Sequence, residues 1–241
     1  ISDALATLDG TMPYFVSWGN HDVGLNGSAG DRSTGSASLF EPLRFDPWLA
    51  GQFDPASLQN AYYHLGAGDI DFGVLSLEFC PRDAVLDWAD SVLTSHPGRW
   101  WIVVTHLYLR HDSALHGAEP SHGIRCSIYG INSGLGQVNG GPGMWSRFRT
   151  HENVVMVLNG HDTTPLGDAG FLPQTGDGGN EVLIFHRNFQ QAGGSVVVLL
   201  DFDTDNQSLS VSTYSTEGSV FLSDPQHQFT YPGVGWLFER S

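Results

Sequence analysis

Tyr14-Phe15-Val16-Ser17-Trp18-Gly19-Asn20-His21-Asp22 runs from a short β-prone segment into a glycine, then presents an amide, an imidazole and a carboxylate in succession. That order has chemical meaning. The Asn20 amide oxygen can ligate a hard or borderline metal, His21 can donate a proton to an oxyanion, and Asp22 can fix the imidazole tautomer. Gly19 allows the sharp turn that aims all three at one point. Gly, Asn and Asp are also common turn residues, so the stretch alone reads equally well as an ordinary strand-to-turn junction.

The 241 residues, 40% of them hydrophobic, suffice for a substantial core in one domain spanning 1–241. The formal net charge is −16, from 26 acidic against 10 basic residues. Binding to a nucleic-acid backbone needs clustered cations, so it is not expected as a main function. No apolar run approaches the ~20 residues needed to cross a bilayer as a helix. Cys80 and Cys126 each fall in a loop beyond a strand end, which leaves one bridge and two free thiols equally open. A bridge would point to export, to the periplasm or outside the cell. The opening Ile1-Ser2-Asp3-Ala4-Leu5-Ala6 reads as the middle of a helix, which favours a mature or partial chain over a native start.

Outward from the opening stretch, residues 3–9 read as the end of a helix stopped by Gly10, and 13–17 as a strand. Residues 23–60 form a long loop region rich in Gly, Ser, Asp and Pro, with scattered aromatics that predict folding back onto the body, and 42–51 is expected to hold a short helix. Strands at 61–65 and 72–79 flank Gly66-Ala67-Gly68-Asp69, a hairpin signal. Val85, Trp88, Ala89, Val92 and Leu93 recur on one helical face over 82–95. A buried strand at 101–104 leads into Thr105-His106. A loop region at 107–141 contains His111, Asp112, His116, Glu119 and His122, each read singly as a solvated loop residue. A short helix at 143–151 precedes a second buried strand, 154–158, which leads into Asn159-Gly160-His161-Asp162. Beyond residue 163 antiparallel strands are expected near 181–187, 195–201, 208–214 and 227–231, with a tight turn at Asp201 to Asp205. His64, His186 and His227 read as structural strand residues.

Three β-runs thus end alike, in Asn20-His21-Asp22, Thr105-His106 and Gly160-His161-Asp162. Ligands gather beyond the carboxyl ends of strands in helix-flanked sheets, and the order β-α-β-α-β from 72 to 161 places the last two endings on one edge. Asn20, His106 and His161 together make a mixed oxygen and nitrogen donor set for zinc, manganese or iron.

With these endings the chain resembles the calcineurin-like metallophosphoesterase superfamily, which includes the purple acid phosphatases. Gly19-Asn20-His21-Asp22, Val104-Thr105-His106 and Gly160-His161 carry the resemblance, with Leu75-Ser76-Leu77-Glu78 and the antiparallel tail in support. It implies a four-layer α/β/β/α sandwich with two metal ions near the strand ends. Asn20, His106 and His161 would ligate one ion, His21 would stand at the phosphate and leaving oxygen, and Asp22 would support it. A phosphate-ester small molecule would be hydrolysed, by phosphatase or phosphodiesterase action, through a metal-activated hydroxide.

The chain also departs from the family pattern. The Asp-x-His and Gly-Asp motifs that normally come first are absent upstream of Asn20, and Thr163 stands where Gly-His-x-His has its last histidine. The ligands of the second ion and the bridging aspartate are therefore missing, with Asp162 a weak substitute. Two expectations follow. Either a separate or removed N-terminal segment of the same protein supplies these motifs, or the chain is a catalytically degraded relative with a binding, scaffold or assembly role.

Overall fold

The computed structural model describes residues 2–68, 70–117, 126, 138–162, 168–191 and 195–235. A helical turn at Ser2–Leu5 (α1) leads into 3-10 turns, and the chain then builds a seven-stranded mixed sheet. Its strands are Leu49–Asp54 (β1), Ser57–Ala67 (β2), Ile70–Ser76 (β3), Trp100–Val104 (β4), Val154–Asn159 (β5), Ala169–Thr175 (β6) and Glu181–Arg187 (β7), ordered β1-β2-β3-β4-β5-β7-β6. β3, β4, β5 and β7 run parallel, while β1, β2 and β6 are antiparallel to their neighbours.

The apolar runs of β4 and β5 are covered on both faces, as parallel strands require. On one face Leu75, Trp101, Val103, Val154, Val157, Val182 and Ile184 meet the helices Asp83–Ser95 (α2) and Gly141–Phe148 (α3). Val85, Leu86, Ala89, Val92 and Leu93 of α2 are buried there, as their spacing predicts. Asn153 Nδ2 donates to the Leu93 and His96 carbonyls and so satisfies the end of α2. On the other face a second sheet packs, made of Val196–Asp203 (β8), Ser208–Ser215 (β9), Val220–Phe221 (β10) and Gln228–Pro232 (β11). β8 lies along the full length of β9, and β11 and the short β10 share its other edge. The described residues therefore form a mixed α/β fold of helices, a large sheet and a second sheet.

The turn between β8 and β9, the β2–β3 hairpin and the parallel β3-β4-β5 order all match the sequence reading. Several expectations need correction. Residues 13–17 form no ladder among the described residues, because β2 and β4 occupy both edges of β3. The segment runs extended across the sheet face instead, where Tyr14, Phe15, Val16 and Trp18 pack with Phe45, Tyr63 and Val74. The helix expected at 42–51 is a 3-10 turn at Pro42–Phe45 followed by β1. The C-terminal part is not wholly antiparallel, since β7 joins the main sheet parallel to β5. β6 and β10 escaped the sequence reading, and His227 sits just before β11 rather than within it.

The long loop region folds back on the body, and one buried charge cluster anchors it. Glu78, 1% exposed, accepts from Asn60 Nδ2 at 3.0 Å and from the Nε and Nη2 groups of Arg82 at 2.9 and 3.1 Å. Arg32 reaches the same carboxylate at 3.2 Å and donates to the Phe79 and Cys80 carbonyls at 3.0 and 2.6 Å. Removing one member of a buried ion cluster strands the others without compensation. Glu78→Ala is accordingly expected to lower unfolding free energy by about 3–5 kcal/mol in urea titration. The exposed pair Arg149–Asp177 sets the comparison: Asp177→Ala should cost less than about 1 kcal/mol. Equal losses from the two substitutions would contradict the anchoring role.

Candidate metal centre

Parallel pairing brings the ends of β4 and β5 side by side. Thr105 N donates to the Leu158 carbonyl at 3.1 Å and Gly160 N to the His106 carbonyl at 3.2 Å, which fixes the two following loops against each other. Asn20 arrives from the extended segment, which Ser76 Oγ pins through the Val16 carbonyl at 2.8 Å. Two residues earlier, buried Trp18 packs with Phe45, Tyr63 and Val74.

The three side chains converge. Asn20 Oδ1 lies 3.0 Å from His106 Nε2, and His161 Nδ1 lies 3.0 Å from the same nitrogen. Ligand atoms about 2.0–2.2 Å from a first-row ion stand about 3.0–3.5 Å apart in octahedral or tetrahedral geometry, so the spacing fits a shared ion. A neutral His106 has at most one hydrogen on Nε2 and cannot donate along both lines at once. An ion would engage all three lone pairs together. Burial pushes the His106 imidazole down to about 4 and the His161 imidazole to about 3, the latter assisted by His106 and His116 alongside. Both rings are thus neutral at pH 7, the form that ligates.

The backbone is shaped around these donors. A Cβ at Gly19 would stand 2.9–3.1 Å from three atoms of the His106 ring, so only glycine leaves the ring its place. His161 has φ = 75°, a left-handed conformation disfavoured for a residue with a Cβ. The Phe79 ring covers both imidazoles, with centroids 5.6 Å from His106 and 5.4 Å from His161. Phe79 is held by the Arg32 bond to its carbonyl and by the adjacent bridge between Cys80 and Cys126, which resolves the open question about the thiols.

His21 and Asp22 are exposed at the mouth of this cluster. The Asp22 carboxylate accepts the Gly19 N–H at 2.8 Å, so it closes the turn that carries Asn20. Three further residues frame the site that single-residue reasoning passed over or discounted. Asp162 Oδ2 accepts from His111 N at 3.2 Å and pairs with His111 Nδ1 at 2.5 Å, while buried His116 stands 3.9 Å from Asp162 Oδ1 with its ring 6.0 Å from that of His161. Burial pushes the Asp162 carboxyl up, but the His111 bonds outweigh it and hold the group below its ordinary value. Only the recurrence of histidine through 111–116 hinted at this. Glu119, His122 and Thr163 lie outside the described residues. His186 is fully buried, with Nδ1 3.4 Å from Asn159 Oδ1, and His64 sits in β2 among Tyr62, His96 and Trp101. Among the described residues no group of three or more His, Cys, Asp and Glu has metal-holding spacing, so the cluster reaches three donors through the Asn20 amide oxygen.

No family model matches the chain. It is similar to the "Uncharacterized protein YvnB" of Bacillus subtilis (strain 168), with 27% identity over 209 residues, covering 85% of this chain and 14% of that protein's length.

Gly19→Ala is expected to displace the His106 ring while the fold persists. In NMR spectra the ring signals of His106 and His161 should shift, and those of His64 should not. Unchanged His106 signals would show that Gly19 does not shape the cluster.

Proposed function

We propose that the chain carries one metal site of a calcineurin-like metallophosphoesterase, with Asn20, His106 and His161 holding a zinc, manganese or iron ion that serves hydrolysis of a phosphate ester. The observation that carries this reading is the approach of two neutral donors, Asn20 Oδ1 and His161 Nδ1, to within 3.0 Å of a third, His106 Nε2, beside the adjoining ends of β4 and β5. A bound ion would act as a Lewis acid against the negative charge on phosphoryl oxygens. The remaining work falls to the protein. His21, exposed beside Asn20, holds the proton for the leaving oxygen. Asp22 fixes the turn that aims both. Phe79 keeps bulk water from the imidazole faces, and Asp162 with His111 pins the loop that forms the far wall. The substrate is a small phosphomonoester or phosphodiester.

The four-layer α/β/β/α arrangement belongs to the same proposal. The outer face of the second sheet leaves Val197, Leu199 and Phe221 between 46 and 49% exposed, an apolar row of the kind a further layer would cover. Export is supported by the Cys80–Cys126 bridge, a bond that persists in oxidising compartments.

A second reading, a phosphoesterase-fold protein that binds or assembles without turnover, is favoured by how the nearby carboxylates are used. Asp22 is committed to Gly19 N–H and Asp162 to His111, which leaves donors for one ion among the described residues. Titration with Mn2+ or Zn2+ in a calorimeter is expected to give one ion per chain, with His106→Ala weakening it by at least about 100-fold. His21→Ala should keep the metal while lowering turnover of p-nitrophenyl phosphate by about 100-fold. Metal binding without hydrolysis would select the second reading, and absence of metal binding would overturn the first.

A further inference from the structure

We propose that the pocket beside Arg187, between the two sheets, binds a small monocarboxylate with an apolar body. This site is independent of the phosphoesterase reading. Its physical basis is the use that this protein makes of arginine. Its ten basic residues are all arginine, and carboxylates are abundant. Three of these arginines grip a carboxylate through the side-on edge formed by Nε and Nη2, while Arg147 reaches Asp90 and Asp87 through Nη1 and Nη2. Arg82 holds Glu78 through that edge at 2.9 and 3.1 Å, Arg44 holds Asp9 at 3.1 and 3.4 Å, and Arg149 holds Asp177 at 2.7 and 2.5 Å. In the Arg82 and Arg44 pairs the planar fork meets both carboxylate oxygens, and in the Arg149 pair both nitrogens bond Asp177 Oδ1.

Arg187, at the carboxyl end of β7, leaves this edge largely unused. Its Nη1 donates to the Gly170 carbonyl at 2.8 Å and to its own neighbour's, His186, at 2.7 Å. Nη2 makes one long bond, 3.4 Å, to the Gln226 carbonyl. Nε is buried with no acceptor, and among the described residues no carboxylate lies within 4.0 Å. The nearest carboxylate influence is Asp168, which is already paired with His227 at 3.2 Å. Burial accordingly pulls the Arg187 guanidinium down to about 10. A buried cation without an anion is costly, and it favours any anion that fits.

The surroundings define what fits. The pocket has a volume of about 190 Å3 and is lined by Leu158, Asn159, Phe185, Arg187, Val198 and Leu200. Pockets for drug-sized ligands run to roughly 300–1,000 Å3, so the occupant is small. Asn159 spends one Nδ2 hydrogen on the Phe185 carbonyl at 2.8 Å, and its Oδ1 accepts from Leu109 N at 3.1 Å, which leaves it at most one neutral N–H for a ligand. Arg187 is then the charged group with spare capacity, and apart from Asn159 the other walls are aliphatic or aromatic. One fork and apolar walls suit a singly charged carboxylate, whereas a phosphate would bring a second charge and further acceptors without donors to meet them.

Benzoate is the probe. Calorimetric titration of the unmodified chain with benzoate is expected to saturate, and benzyl alcohol, its neutral counterpart, should bind at least about tenfold more weakly. Arg187→Met removes the fork, and Leu200→Trp fills the pocket while keeping it. Each should weaken benzoate by at least about tenfold. If circular dichroism shows Arg187→Met to be unfolded, Leu200→Trp decides. No saturable binding up to about 10 mM benzoate, equal binding of benzyl alcohol, or unchanged affinity in Leu200→Trp would each overturn the assignment.

Discussion

The parallel pairing of β3, β4, β5 and β7 is the constraint on which the rest of this structure depends. Because these strands run the same way, their carboxyl ends lie on one edge of the sheet, and each end delivers something different there. β3 delivers Glu78, Phe79 and Cys80, β4 delivers His106, β5 delivers His161 and Asp162, and β7 delivers Arg187. Parallel strands need long crossovers and cover on both faces, which is why α2, α3 and the second sheet are where they are. A bulge between β4 and β5 sharpens the alignment. Trp101 pairs with Val154 and Ile102 with Met156, so Val155 is the extra residue that adjusts the register before the two histidines emerge.

Convergence alone does not make a ligand set. His106 and His161 must be neutral, close and held, and burial accomplishes the first at some cost in solvation. Closeness rests on the absence of a side chain at Gly19 and on the left-handed backbone at His161. Holding falls to a shell with its own anchors. Phe79 covers the imidazoles, the Glu78–Arg32–Arg82 cluster fixes the chain before and behind it, and the bridge to Cys126 ties down the next residue. Such groups around a site, each satisfied elsewhere, orient donors as effectively as direct contact does.

Much of this could be read from the chain. Val85 to Leu93 declared α2 through periodicity, the unbroken apolar runs 101–104 and 154–158 declared buried strands, and the residues just after them declared the edge. The Asn20 segment was legible in its chemistry but not in its structure. Tyr14 to Ser17 has strand composition, yet whether such a run joins a ladder depends on a free neighbour, and β3 has none. β1 and β6 were missed because Leu49-Ala50-Gly51-Gln52 and Ala169-Gly170-Phe171-Leu172-Pro173 carry glycine and proline that argue locally for turns, while their edge positions in the sheet tolerate both. Asp162, His111 and His116 form a cluster across about fifty residues of sequence, and pairwise spacing has no signal for that. Arg187 was invisible for the same reason, since what distinguishes it is the carboxylate it lacks.

The central claim is that Asn20, His106 and His161 surround one ion. Crystals of the chain grown with Mn2+, measured for anomalous scattering, test it most directly. The account predicts a single strong peak within about 2.0–2.3 Å of Asn20 Oδ1, His106 Nε2 and His161 Nδ1. An anomalous map empty at that point while the three side chains keep their places, or a peak bound elsewhere on the acidic surface alone, would contradict it.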